Sequence, residues 1–470
     1  MNNSSIPQII QGGMGVGISD WRLARAVCLR GQLGVVSGTA LDTVMVRRLQ
    51  DGDAGGHMRR AMAEFPMPGV AADVLRLYFR PEGRSPGTPY KMLPVYKQVM
   101  SQARQLVTVL AAFVEVYLAK EGHQGMVGMN LLTKVQIPTL PSLYGAMLAG
   151  VDVILMGAGI PREIPAVLDH LAQHQTASLR FEVEGLPSGR EERLTLDPKG
   201  FWTTTPPELR RPLFLAIIAS NSLATMLARK ASGRIDGFVI EGPTAGGHNA
   251  PPRGEPRFNE RGEPLYGERD VVDLAKISEL GLPFWLAGGA GRKGQVRAAL
   301  AAGASGIQVG TLFAYSDESG LAENLKRSVL THAARGEVTV MTDPRASPTG
   351  YPFKVVRWPG DPGEGVARER RCDLGGLRVA YYTPEGKIGY RCPGEPVDAY
   401  VKKGGKLEDT VGRRCLCNAL TADLGLGQVR ANGEVEPPLL TSGDDLESIG
   451  EFLAGRTRYS ASEVLDYLMA

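Results

Sequence analysis

Residues Glu241 to Asn249 read E-G-P-T-A-G-G-H-N and directly follow the apolar run Asp236-Gly-Phe-Val-Ile240. A buried strand therefore ends in a turn of small residues with one imidazole, His248, at its tip. Small residues let a backbone lie flat against a large planar ligand. An imidazole titrates near neutrality, so His248 is the group suited to move a proton for that ligand. The competing role for this position is a structural His bonded to backbone. The other histidines, His57, His123, His170, His174 and His332, carry no motif and read as surface or packing residues.

A second chemical feature is Gly289-Ala-Gly-Arg-Lys-Gly294, formally a G-x-G-x-x-G. A dinucleotide site of the Rossmann type needs an acidic residue at the end of the next strand to hold a ribose. The next strand here, Gly306-Ile-Gln-Val309, ends in Gly310-Thr311 with no carboxylate. The glycines fit a different task, which is to bring backbone N–H groups onto a phosphate. Gly288, Gly289 and Gly310 are placed for that, and the Thr311 hydroxyl adds a donor. Two ordinary βα turns are the plainer reading of either pair alone.

These residues must be positioned by a scaffold, and the hydrophobic pattern supplies one. Short apolar segments recur at Gln8–Gln11, Leu33–Val36, Met126–Asn130, Val151–Met156, Leu213–Ile218, Gly237–Ile240, Pro283–Ala287 and Gly306–Val309. Most end in glycine or small polar residues and lead into a helical pattern. Such runs are parallel strands covered on both faces. Eight of them predict an α/β fold, a (β/α)8 TIM barrel over 1–340; an open doubly wound sheet is the alternative. Loops after the seventh and eighth strands of a barrel are where a phosphate usually sits. Two insertions interrupt the repeat. A helical insertion spans about 42–123 and ends in the apolar helix Val107–Leu118. Period-two alternation in Ala177–Val183 and Glu192–Leu196, separated by Gly185-Leu-Pro-Ser-Gly189, predicts a β-hairpin insertion at about 177–200. From 341 to 470 the texture changes to Pro, Gly and charge, which marks a C-terminal appended region. Ser460 and Glu463 there form a candidate helix capping box.

One phosphate and a flat surface of small residues together suggest FMN. Gln11-Gly12-Gly13-Met14 closes the first strand and can lay backbone against the isoalloxazine ring, with Gln11 reaching its polar edge. Asn130, at the end of the third strand, can do the same or can cap its own strand. An amide donates or accepts, which suits a ring edge whose needs change on reduction. Ala245, Gly246 and Gly247 complete the flat face.

Gln11-Gly-Gly-Met14, Glu241-Gly-Pro-Thr-Ala-Gly-Gly-His248, Ala287-Gly-Gly289 and Gln308-Val-Gly-Thr311 resemble the flavin-contacting segments of the nitronate monooxygenase (2-nitropropane dioxygenase-like) family, which includes related flavin enoyl reductases. They occur in the family's order, at the ends of strands one, six, seven and eight, and the likeness covers roughly residues 6 to 320. The resemblance implies FMN, a barrel, and His248 as catalytic base. The implied function is an FMN-dependent oxidoreductase, first of all a nitronate monooxygenase that uses O2 to turn alkyl nitronates into carbonyl compounds and nitrite. A flavin-dependent enoyl-thioester reductase, or an NAD(P)H:acceptor reductase, is the alternative, because one constellation serves both. A non-catalytic flavin-binding scaffold is a third reading.

Composition is compatible with this. Apolar residues are 43% and charged residues 22%, with a net charge of +3, so neither nucleic acid nor an anionic membrane is an expected partner. The apolar runs are too short for a membrane span. Neither a leader pattern nor a disulfide framework is evident, and a cytoplasmic location follows by default. A homodimer is compatible with the reading. Four of the five cysteines, Cys372, Cys392, Cys415 and Cys417, fall in the C-terminal region. They are candidate ligands for zinc or an iron–sulfur cluster, although their spacing matches no C-x2-C template; free buried thiols are the plainer alternative. Cys28 shares a helix face with Trp21 and Ala24 and reads as core.

Overall fold

The computed structural model describes residues 6–365 and 368–470. Its strands in chain order begin with β1 (Ile9–Gln11), β2 (Leu33–Ser37), β3 (Val127–Leu132) and β4 (Val153–Gly157). The short strands β5 (Ala177–Phe181), β6 (Val183–Glu184) and β7 (Glu192–Leu196) intervene. Then come β8 (Leu213–Ile218), β9 (Gly237–Glu241), β10 (Phe284–Ala287) and β11 (Gly306–Val309). Strands β12 (Thr339–Asp343), β13 (Phe353–Arg357), β14 (Val379–Tyr382) and β15 (Ile388–Arg391) complete the set. The eight strands β1 to β4 and β8 to β11 close into one parallel barrel, in the order β1-β11-β10-β9-β8-β4-β3-β2. All eight predicted apolar runs are barrel strands.

Their continuous hydrophobicity has a direct cause. Alternate residues point inward and outward along a strand. Ile10, Leu33, Val35, Val153, Leu155, Leu215, Val239 and Trp285 fill the barrel interior as one buried cluster. Their neighbours Ile9, Val36, Ile154, Phe214 and Phe238 face outward into the layer of helices. Both faces are dry, so neither alternation nor a polar stripe survives in the sequence.

The stretch between β2 and β3 divides in two. Helices Leu41–Gln50, His57–Ala63 and Pro68–Tyr78 form the excursion proper. The apolar helix Gln102–Lys120 belongs to the barrel's own outer ring, between helices Trp21–Leu29 and Thr139–Leu148. It starts at Ser101, whose hydroxyl accepts from the Arg104 amide. Its unbroken burial from Thr108 to Val116 explains why it reads as apolar on every side. At its closest crossing a Cβ on Gly145 would lie 2.0 Å from the Val109 carbonyl oxygen, so only glycine lets these helices approach so far.

The hairpin is β5 against β7, antiparallel from Ala177–Leu196 to Phe181–Glu192. The region after 340 packs closely on the barrel. Strands β12 and β13 pair with each other, and β14 takes β6 of the insertion as a parallel neighbour. The final helix, Ala461–Met469, carries the expected capping box of Ser460 and Glu463 and packs on helix Trp21–Leu29. Tyr459, fully buried, donates to the Leu312 carbonyl at 2.7 Å. Among the described residues no helix is long and apolar enough to cross a membrane.

Candidate active site

A cavity of about 500 Å³ lies at the carboxyl ends of the barrel strands, within the usual size of a small-molecule site. Its wall includes Gly12 to Gly15 after β1, Gly242 to His248 after β9, Gly288 to Ala290 after β10, and Gly310 with Thr311 after β11. The four motifs are dispersed in sequence and meet here because each ends a strand of the same barrel. The amides of Gly288, Gly289 and Gly310 have no protein acceptor among the described residues. Gly288 has a φ of +88°, and a Cβ there would come within 3.0 Å of Thr244 Oγ1. Both observations explain a glycine at that turn.

Four buried polar atoms on the cavity wall also lack partners among the described residues: Asn130 Oδ1, Asn249 Oδ1, Gln308 Oε1 and Ser442 Oγ. Buried polar atoms are almost always satisfied, so each calls for an explanation. Asn130 donates to the Gly13 carbonyl at 2.9 Å, which fixes its amide with the carbonyl oxygen free. Gln11 behaves differently from expectation. Its amide donates to Ser19 Oγ at 2.8 Å and also to the Gly12 carbonyl. It accepts from the Val35 amide at 3.1 Å. With its hydrogen bonds spent and its side chain fully buried, Gln11 shapes the turn from behind. Gln308, next to Gly12, is the glutamine with an open acceptor at the wall.

His248 stands where the sequence puts it, at the tip of the turn after β9. Its ring packs edge-on against Phe353 with centroids 4.8 Å apart, and Nε2 lies 2.6 Å from Ser347 Oγ. Ser347 in turn meets Thr349 Oγ1 at 2.8 Å. The Lys354 amide donates to the Gly247 carbonyl and the Asn249 amide to the Pro352 carbonyl, both at 2.9 Å. The start of β13 thus clamps the turn and sets the imidazole. Burial pulls the His248 pKa down to about 4, so the ring is neutral near pH 7. Glu241, the last residue of β9, also faces the cavity, and burial pushes its carboxyl up to about 7. Sequence reasoning passed over Glu241 as a functional group, although it opens the motif as a carboxylate at a strand end.

Asp42, Tyr96, Arg104 and Thr108 form a buried network beside the cavity, with Asp42 and Tyr96 on its wall. Arg104 Nη2 donates to Asp42 Oδ2 at 2.6 Å and Nη1 to Thr108 Oγ1 at 3.0 Å. The Tyr96 hydroxyl donates to the same carboxylate. Burial pushes the Asp42 carboxyl up, but the Arg104 charge and these hydrogen bonds together hold it below its ordinary value. Removing one partner of a buried pair costs about 3–5 kcal/mol. Arg104→Met is therefore expected to lower the thermal midpoint markedly. Adding Asp42→Asn should restore part of the loss in calorimetry, because the orphaned charge is then gone.

The four C-terminal cysteines do not form the expected metal centre. Among the described residues no three of His, Cys, Asp and Glu converge to hold a metal ion. All four are free thiols. Burial raises each pKa, to about 12 for Cys392 and Cys417 and upward for Cys372 and Cys415. Cys417 reaches the cavity wall; the others pack. Cys28 is core, as expected.

Residues 208–348 match the family model described as nitronate monooxygenase. No curated protein matches the chain. Among solved structures, FabK from Thermotoga maritima is 16% identical with a TM-score of 0.46, covering 98% of this chain and 91% of that one. Nitroalkane oxidase from Streptomyces ansochromogenes is 17% identical with a TM-score of 0.45, over 98% and 94%. The enoyl reductase domain of MlnA from Bacillus amyloliquefaciens is 12% identical with a TM-score of 0.46, over 98% and 92%. Likeness at this level carries no argument about the reaction. The segment that resembles the nitronate monooxygenase model holds β8 to β11, the His248 turn and both glycine turns.

Proposed function

We propose that the cavity binds FMN. The observation that carries this is the set of unsatisfied wall groups. The free amides of Gly288, Gly289 and Gly310 and the Thr311 hydroxyl suit a phosphate. The open acceptors of Asn130 and Gln308 suit N–H groups on a ring edge. Gly12, Gly13 and Ala245 to Gly247 leave a wall without bulky side chains. When bound, FMN supplies the centre that accepts and gives electrons.

Two reactions fit such a site, and the character of the wall favours reduction of an α,β-unsaturated thioester over oxidation of a nitronate. Asp42, Glu241, Asp270, Asp423 and Asp445 line the cavity, whereas Arg253 is the one lysine or arginine on the wall among the described residues. Burial raises the carboxyls of Glu241, Asp423 and Asp445. Leu132, Val135, Ile160, Leu374 and Leu377 offer apolar surface to the acyl chain of such a thioester. Saturating the double bond takes two electrons, drawn from NADH or NADPH, and two protons. Glu241 can hold the proton delivered to the carbon next to the carbonyl. Neutral His248, held by Ser347, orients the substrate or relays that proton. The nitronate reading keeps one specific support, the family match over 208–348.

The test is anaerobic absorbance of the purified flavoprotein with NADH, NADPH and an alkyl nitronate in separate cuvettes, followed by a crotonyl thioester. Bleaching by a nicotinamide nucleotide and recovery on adding the thioester is the expected result. Bleaching by the nitronate alone returns the nitronate reading. A purified protein unable to hold FMN would sink both.

A further inference from the structure

The unpaired groups at the glycine turns have a neighbour from the far end of the chain. Thr441 to Asp445 runs as a strap across the carboxyl ends of β9, β10 and β11. The Gly247 amide donates to Thr441 Oγ1 at 2.8 Å. The Gly443 amide donates to Thr311 Oγ1 at 3.1 Å, and the Asp444 amide to the Thr244 carbonyl at 3.0 Å. Asp445 Oδ2 accepts from the Gly291 amide at 3.0 Å. The fit is close: a Cβ on Gly246 would lie 2.8 Å from the Gly443 nitrogen, and a Cβ on Gly443 would lie 2.9 Å from both the Thr244 carbonyl oxygen and Thr311 Oγ1.

Within this strap Ser442 is 5% exposed and lines the cavity. Its hydroxyl has no partner among the described residues. The buried phenol of Tyr315 is its polar neighbour, close enough to feel the Ser442 hydroxyl as a hydrogen-bonding group, though the two do not meet in good hydrogen-bond geometry. A buried hydroxyl without a partner is destabilising, and neighbouring threonines show how readily this strap satisfies its own polar groups. Because Gly443 occupies the Thr311 oxygen as a donor, Thr311 keeps its own proton for a ligand on the same side. Ser442, one residue away, is turned to the same space.

Building on the FMN reading, we propose that the Ser442 hydroxyl donates a hydrogen bond to the cofactor's phosphate, making the C-terminal strap a part of the flavin site that closes over the phosphate end. The strap lies outside the segment that matches the family model. It follows that cofactor and C-terminal region stabilise each other, since whatever binds only the seated strap favours the folded state.

FMN and riboflavin, which differ by that phosphate, provide the test. Dissociation constants for both are measured by flavin fluorescence quenching with the full chain, as wild type, Ser442→Ala and Tyr315→Phe. A hydrogen bond to a charged group corresponds to about tenfold or more in affinity. Ser442→Ala is expected to weaken FMN by about that factor, leave riboflavin unchanged, and abolish much of the rise in thermal midpoint that FMN produces in wild type. Equal weakening of both flavins would mean a structural defect and would overturn the proposal. Unchanged affinity for both would overturn it as well. Loss of selectivity for FMN in Tyr315→Phe but not in Ser442→Ala would move the role to the phenol. Wild-type protein that binds neither flavin would refute the FMN reading itself, an outcome distinct from the others.

Discussion

A Glu241→Gln enzyme retains FMN, turns over about 100-fold more slowly, and loses the dependence of its rate on pH near neutrality. General acid–base groups contribute about 10²- to 10⁴-fold, and the lower end is appropriate where a second group stands nearby. The pH dependence follows from the direction of the shift. The Glu241 carboxyl is pushed up to about 7 by burial, so in wild type the proton is present below that value and lost above it. A donor role makes kcat fall as pH rises through about 7. Glutamine keeps the shape, has no proton to give, and flattens that limb. His248→Ala gives the complementary result: turnover falls by a comparable factor, FMN stays bound, and the limb near pH 7 remains. His248, drawn down to about 4, does not change charge in that range. Stopped-flow rates from pH 5 to 9 separate the two. Unchanged turnover in His248→Ala would remove the imidazole from the mechanism.

Gly246→Val is expected to expel the cofactor and loosen the C-terminal region together. A Cβ at this position runs into the backbone of Ser442 and Gly443, each at 2.8 Å, and backbone cannot rotate away as a side chain can. The strap must lift, which breaks its bonds to Thr311, Thr244 and the Gly247 amide. At about 1 kcal/mol each those bonds correspond to more than a tenfold loss of FMN affinity, read by flavin release on gel filtration. Faster proteolysis after residue 440 would accompany it. Gly281→Ala, away from the cavity wall, is the control. Its φ of +69° makes alanine cost about 1–2 kcal/mol, but no atom lies within 4 Å of the added Cβ. That variant should lose a little stability and keep its flavin. If both variants bind FMN equally well, the strap has no part in the site.

What the sequence determined alone was the frame. Eight apolar runs with glycine-rich ends could be read as barrel strands because both faces of each strand are buried, which leaves a signal that is local and strong. The turn from Ala245 to His248 was legible for the same reason, since a strand end, small residues and one imidazole are adjacent in the chain. The hairpin from Ala177 to Leu196 and the cap at Ser460 depend on neighbours a few residues apart, and both were read correctly.

Tertiary structure decided what depends on distant partners. Gln11 and Gln308 are both glutamines on or beside barrel strands, and no local pattern reveals that Ser19 and Val35 use up the first and leave the second open. The cysteines from Cys372 to Cys417 looked like ligands by count. Among the described residues no three metal-ligating side chains converge as a metal needs, and count and spacing in the chain do not reveal that. Ser442 lies 131 positions from Thr311 and carries no motif; only the return of the chain across the barrel mouth brings it to the cavity. The charge of Glu241 was likewise invisible, because a pKa is a property of surroundings. Local periodicity builds the barrel, but long-range packing sets which groups at its mouth remain free to bind and to move a proton.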